Sequence, residues 1–180
     1  DFESIINMSN FDLVEFHFSY SDLNLKIEDY FNKNSYNLDL IVHSPELFSN
    51  DHLMDLCSDD SNYRKKSISN LKEVVKKTLE LKPYFKSKRP LIIINAGGWS
   101  INRIYLTEKE KNHKYDLIGK AINSLNTKGV EIIIQTMPPF PWHFGGQRFH
   151  NLFMDADEIV SFCQKFDKRI CLDVSHSKLY

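Results

Sequence analysis

Leu91-Ile-Ile-Ile-Asn-Ala-Gly-Gly-Trp-Ser100 opens on an unbroken apolar run that lacks the alternation of a strand with one wet face. Such a run suits a strand covered on both faces. It ends in an amide and two glycines, as a chain does on leaving a strand for a loop. Glu131-Ile-Ile-Ile-Gln-Thr136 repeats the arrangement, again with an amide behind the isoleucines. Three further segments have the same character: residues 13–18 (LVEFHF), 38–43 (LDLIVH) and 169–174 (RICLDV). Five strands are predicted.

The stretches between them carry helical period. From Ile68, one face collects Leu71, Val74, Val75, Thr78 and Leu79, and the other Lys72, Glu73, Lys76 and Lys77. Thr107 and Glu110 have capping-box spacing before Leu117, Ile118, Ala121, Ile122 and Leu125, and Gly129 marks a stop. Another helix is predicted from Asp155, with Asp157 and Glu158 in its first turn and Ile159, Val160, Phe162, Cys163 and Phe166 inward. A shorter one is expected over residues 23–31. Strand and helix thus alternate, which makes the class α/β with parallel crossovers.

An open doubly wound sheet and a closed barrel both fit that order. Neither G-x-G-x-x-G nor G-x-x-x-x-G-K-[ST] occurs, which weakens the nucleotide-binding sheet. The connections after strands are long (44–63, 96–107 and 137–154), whereas those after helices are short. A barrel enzyme builds its site on that side. The expectation is a (β/α)8 TIM barrel, present as about five parallel strands with intervening helices, residues 1–180 forming a single domain.

The balance of 23 basic against 24 acidic residues gives no electrostatic reason for a nucleic-acid or anionic-membrane partner. The apolar runs are far shorter than a membrane span. Cys57, Cys163 and Cys171 make an odd count without paired spacing, read as reduced thiols of a cytoplasmic protein.

Each predicted strand ends in groups able to bind a metal or a sugar hydroxyl. Glu15 and His17 share a face of the first; His43, Asn95 and Gln135 end the next three; Asp173 ends the fifth, with His176 three residues on. A carboxylate leaving a strand and an imidazole on the following turn can both address one divalent ion. The loop Met137-Pro-Pro-Phe-Pro-Trp-His-Phe-Gly-Gly-Gln-Arg-Phe-His-Asn-Leu-Phe153 adds Trp142, suited to stacking on a sugar ring, and Arg148, suited to an anion. The turn 95–100 offers backbone N–H groups and Ser100 to an anion. His52 and His113 are read as doing nothing specific.

Ile170-Cys-Leu-Asp-Val-Ser-His176, with its Asp-x-x-His, resembles the sixth strand of the xylose-isomerase-like barrels, a family of sugar-phosphate isomerases, epimerases and the endonuclease IV group. Val42-His-Ser-Pro45 is similar to that family's third strand and Val130-Glu-Ile-Ile-Ile-Gln-Thr-Met137 to its fifth. On that register the chain holds strands two to six of a longer barrel, and its first partner is the remainder of the same polypeptide. The resemblance implies a divalent ion (Zn, Mn or Mg), with Asp173 a ligand and His176 a ligand or substrate contact. It also implies a carbohydrate or sugar phosphate as substrate; the strand ends and the long loop offer His17, His43, Asn95, Gln135, Trp142 and Arg148 as its contacts, with Glu15 and His176 as candidates for proton transfer. Two departures stand out. The family's strand-five Glu is Gln135, which at neutral pH is neither base nor anionic ligand. Asn95 stands where the endonuclease group has His, and both departures argue against phosphodiester cleavage. The alternative is a non-catalytic sugar-binding or interaction domain that has lost the base. A fainter likeness joins Glu15-Phe-His-Phe-Ser-Tyr20 and the 138–151 loop to barrel domains accompanying bacterial sialic-acid-type synthases.

Overall fold

A computed structural model describes residues 2–8, 10–31, 36–139 and 148–179. Five parallel strands form one sheet in sequence order: β1 (Leu13–His17), β2 (Asp39–His43), β3 (Leu91–Ile94), β4 (Glu131–Gln135) and β5 (Ile170–Cys171). The helices are α1 (Phe2–Asn7), α2 (Ser61–Leu81), α3 (Glu108–Asn123), α4 (Ala156–Phe166) and α5 (Val174–Ser177). Sequential parallel strands joined by helices are the construction of a (β/α)8 barrel, here seen over five strands.

Strand parity sorts the side chains onto two faces. Val14, Phe16, Leu40, Val42, Ile92, Ile94, Ile132, Ile134 and Ile170 belong to the main core, with Leu71, Val74, Ile118, Ile122 and Phe162 from the helices. The opposite parity gives Glu15, His17, Ile41, His43, Ile93, Asn95, Glu131, Ile133, Gln135 and Cys171 to the inner face. Ile93 and Ile133 are buried there as well, which explains the unbroken isoleucine runs. Burial first, and then the carboxylates of Glu15 and Asp173, push the Cys171 thiol up.

Helix starts follow their caps. Asp60 accepts from the Asn62 and Tyr63 N–H groups at 2.8 and 3.3 Å, so α2 begins seven residues before the apolar period is visible. The polar residues 61–67 hid that start. Thr107 and Glu110 form the predicted capping box, and Asp155 caps α4.

Three expectations are corrected. Residues 23–31 are not one helix but two 3₁₀ turns, Tyr20–Asn24 and Ile27–Asp29, because Leu25 and Lys26 are extended between them. The Leu25 carbonyl accepts from Lys77 Nζ at 2.8 Å, so that break is anchored to α2. α3 ends at Asn123, and Gly129 serves instead in the turn before β4, with φ +95°. The fifth strand stops at Cys171, since Asp173 is drawn off to cap α5 by accepting the His176 N–H at 2.9 Å.

At the N-terminal end of β4, Glu131 accepts two bonds from Arg169, at 2.7 and 2.9 Å, with Arg89 at 3.5 Å. Its carboxyl is held below the ordinary range, chiefly by the Arg169 hydrogen bonds. A depressed carboxylate stabilises the fold above its unfolded pKa, and that contribution fades as pH falls through the folded value. Glu131→Gln is therefore expected to cost about 1 kcal/mol at pH 7. The gap from the parent should close below about pH 4, as read by urea denaturation at several pH values.

Candidate functional site

The inner-face residues at the C-terminal ends of the strands form a connected row. On β1, Glu15 and His17 point the same way and their side chains meet, Oε1 to Nε2 at 2.7 Å. The ring of His17 stacks on His43, with centroids 4.6 Å apart and planes 9° from parallel. The register sets these residues directly opposite each other on β1 and β2. His43 Nε2 lies 3.0 Å from Gln135 Oε1, and Gln135 Nε2 donates to Asp173 Oδ2 at 3.1 Å. Gln135 Nε2 is also 3.1 Å from His176 Nδ1. The chain thus runs from β1 to the turn after β5.

The hydrogen bonds fix several orientations. A carboxylate only accepts, so Gln135 must turn its Nε2 toward Asp173 and its Oε1 toward His43. His43 Nδ1 faces the Ser44 carbonyl at 3.0 Å, another acceptor. Both nitrogens of this buried ring therefore point at oxygen. His176 Nδ1 is 2.8 Å from the Thr136 carbonyl, which makes that nitrogen the donor and leaves the lone pair on Nε2. On β1, Glu15 accepts from His17 Nε2, so in the neutral ring the lone pair sits on Nδ1.

Asn95, the inner-face neighbour of Gln135 on the adjacent strand, donates from Nδ2 to the carboxylate of Glu46. Glu46 follows His43 by three residues and was not anticipated. Its only signal was a carboxylate directly after Ser44-Pro45.

The turn after β3 differs from expectation. Gly98 N–H donates to the buried carboxylate of Asp55 at 3.1 Å, and Ser100 Oγ donates to the Asn102 carbonyl at 2.7 Å. Asp55 accepts in addition from the Cys57 N–H and thiol, at 3.1 and 3.3 Å. Burial raises the Asp55 carboxyl despite these bonds, with Lys114 a smaller opposing influence. The turn's N–H group is thus spent on the protein's own carboxylate rather than offered to an anion. His52, expected to be idle, is buried: its Nε2 meets Ser67 Oγ at 2.9 Å and its ring lies 4.1 Å from that of Tyr63. Desolvation, and then Lys66, lower its pKa.

The Arg148 guanidinium lies 5.3 Å from the Trp99 ring centroid. Trp99–Ser100 and Phe149–His150 pair antiparallel and carry that contact. Trp142 lies outside the described residues.

A divalent ion does not fit these residues alone. Asp173 Oδ2 is 3.5 Å from His176 Nδ1, the nitrogen occupied as a donor, so an ion held by both would have to use Nε2 on the far side of the ring. Among the described residues, no three His, Cys, Asp or Glu are grouped to hold a metal. No described helix is long and apolar enough to cross a membrane.

A family model described as a xylose isomerase-like TIM barrel matches residues 5–180. Among solved structures, a D-tagatose 3-epimerase-like protein superposes with a TM-score of 0.58 at 17% identity, over 97% of this chain and 60% of that one. An L-ribulose 3-epimerase gives 0.61 at 17% identity, over 98% of this chain and 55% of that one. The chain thus spans rather more than half the length of these structures, and at such identity the likeness is one of fold. No curated protein matches by sequence.

Proposed function

The chain belongs to the xylose isomerase-like TIM barrel family, and on that premise we propose that it is a sugar isomerase or epimerase acting on a small carbohydrate at the barrel mouth. One observation carries the reading: the side-chain row Glu15, His17, His43, Gln135 and Asp173, to which His176 is joined by its backbone N–H, with an oriented imidazole toward each end. In the proposed chemistry, His17 Nδ1 takes a proton from a carbon beside the sugar carbonyl. Glu15 acts as a positioning residue, fixing the tautomer through its 2.7 Å contact. The electron pair moves onto the carbonyl oxygen, giving an enediolate. His176 in its protonated form returns a proton from Nε2 to the opposite face of the same carbon, which re-forms the carbonyl, or to the neighbouring carbon once the hydroxyl proton has passed between the two oxygens, and solvent exchange resets both rings. No step passes through a metal.

The neighbouring structures' substrates suggest the probe. With D-tagatose in D2O, the protein is expected to wash deuterium into a carbon-bound position, followed by proton NMR. Glu15→Gln should slow the wash-in about a hundredfold and shift its pH profile, whereas a purely structural Glu15 would leave that profile in place. Absence of any wash-in by the parent protein would sink the enzyme reading. It would leave the second one, a sugar-binding domain without chemistry. That reading is favoured by Gln135, a neutral amide already bonded on both sides.

A further inference from the structure

The segment after β5 has little packing to hold it in place. β5 is two residues long and pairs with β4 through Ile134 with Ile170 and Gln135 with Cys171. Beyond it α5 buries no side chain, and Leu172 and Val174 are each 65% exposed. A turn with few apolar contacts keeps its place only where polar contacts fix it. Thr136, buried directly after β4, supplies them from every polar group it has. Its N–H donates to the Cys171 carbonyl at 3.0 Å. Its hydroxyl accepts the Asp173 N–H at 2.9 Å and lies 3.3 Å from both the Asp173 carbonyl and Ser177 Oγ. Its own carbonyl accepts from His176 Nδ1 at 2.8 Å. Both ends of the stretch from Asp173 to His176 are thus tied to one residue.

We infer that Thr136 is a positioning residue for His176, acting through its hydroxyl. The inference rests on the isomerase reading above and adds a residue to it. Thr136 touches no reacting atom. Its hydroxyl fixes where the turn begins, and that placement brings the imidazole three residues on against the Thr136 carbonyl. The same anchorage keeps the Asp173 carboxylate within reach of Gln135. Without the hydroxyl the Asp173 N–H has to find another acceptor, and the ring drifts from the place where it can pass a proton. A shift of about 1 Å in a catalytic group can slow a reaction about a hundredfold.

Amide exchange, ring nitrogen NMR and deuterium wash-in with D-tagatose, on the parent and two variants, test this. In the parent the Asp173 N–H should exchange slowly, and His176 Nδ1 should give the signal of a protonated nitrogen. Thr136→Val keeps the shape and removes the hydroxyl. It should speed exchange at Asp173 at least about tenfold and move the His176 Nδ1 signal. It should also slow the wash-in at least about tenfold and displace its pH profile. Thr136→Ser keeps the hydroxyl and should restore all of these to near the parent values. A valine variant with faster exchange but the parent's ring signal and pH profile has lost a merely structural bond, and overturns the inference. So does a serine variant that behaves like the valine one, because the methyl group would then be responsible. Where Thr136→Val does not fold, a parent Asp173 amide exchanging as fast as an unbonded one, or a displaced ring signal in Thr136→Ser, overturns it. Absence of wash-in from the parent sinks the isomerase reading alone, and the exchange and ring signals still decide the positioning.

Discussion

Gln135→Leu is expected to lower stability by about 3 kcal/mol and to abolish sugar binding at the strand ends. Leucine fits the volume but removes an amide that serves two elements at once. His43 Nε2 loses the acceptor at 3.0 Å and Asp173 loses the donor at 3.1 Å, and His43 is almost fully buried. Each abandoned group costs about 1–3 kcal/mol, most for a charged one. Denaturant unfolding should show the midpoint falling with little change in slope. Gln135→Glu is the informative companion. It sets a carboxylate against Asp173 where the amide now donates, so it too should destabilise at neutral pH. It should recover in acid, when one of the two carboxyls is protonated and can donate again. A leucine variant within about 0.5 kcal/mol of the parent would mean that the amide bridge holds nothing together.

The second large effect is expected at Gly97, behind β3. Its φ is +97°, and a Cβ there would lie 2.2 Å from Asp55 Oδ1 and 2.5 Å from Asp55 Cα. Gly97→Ala therefore combines backbone strain with a clash against backbone that cannot rotate away. Strain of ~1–3 kcal/mol adds to an overpacking cost of similar size, giving a loss of about 4 kcal/mol. Thermal or denaturant unfolding measures it directly. The same substitution forces Asp55 away, so the Gly98 and Cys57 bonds go with it. A loss under 1 kcal/mol would show that the loop carrying Asp55 yields more freely than its buried bonding suggests.

Much of this was legible before any coordinates. The isoleucine runs placed β3 and β4 almost to the residue, because only a strand with two covered faces tolerates them. Thr107 with Glu110, and Asp155, gave helix starts for the same local reason that they cap in the structure. The strand-end positions His17, His43, Asn95 and Gln135 were visible as well, since strand parity sends them inward, whereas Asp173 lies beyond the end of its strand. What stayed hidden depends on contacts between distant loops. Asp55 and Glu46 sit in a stretch with no clear period, and nothing local says that one is buried against Gly98 and the other bonded to Asn95. The start of α2 was missed because its first two turns are polar, and His52 was dismissed because its partner Ser67 lies fifteen residues on. The role given jointly to Asp173 and His176 was drawn from their spacing, which cannot reveal that Thr136 claims the nearer nitrogen.

The Gln135 amide has an evolutionary consequence. It is bonded to His43 on one side and to Asp173 on the other, so a change at this position disturbs two elements at once. A lineage that regained a carboxylate here would need a compensating change at Asp173, where the amide now donates. The histories of the two positions are therefore tied together.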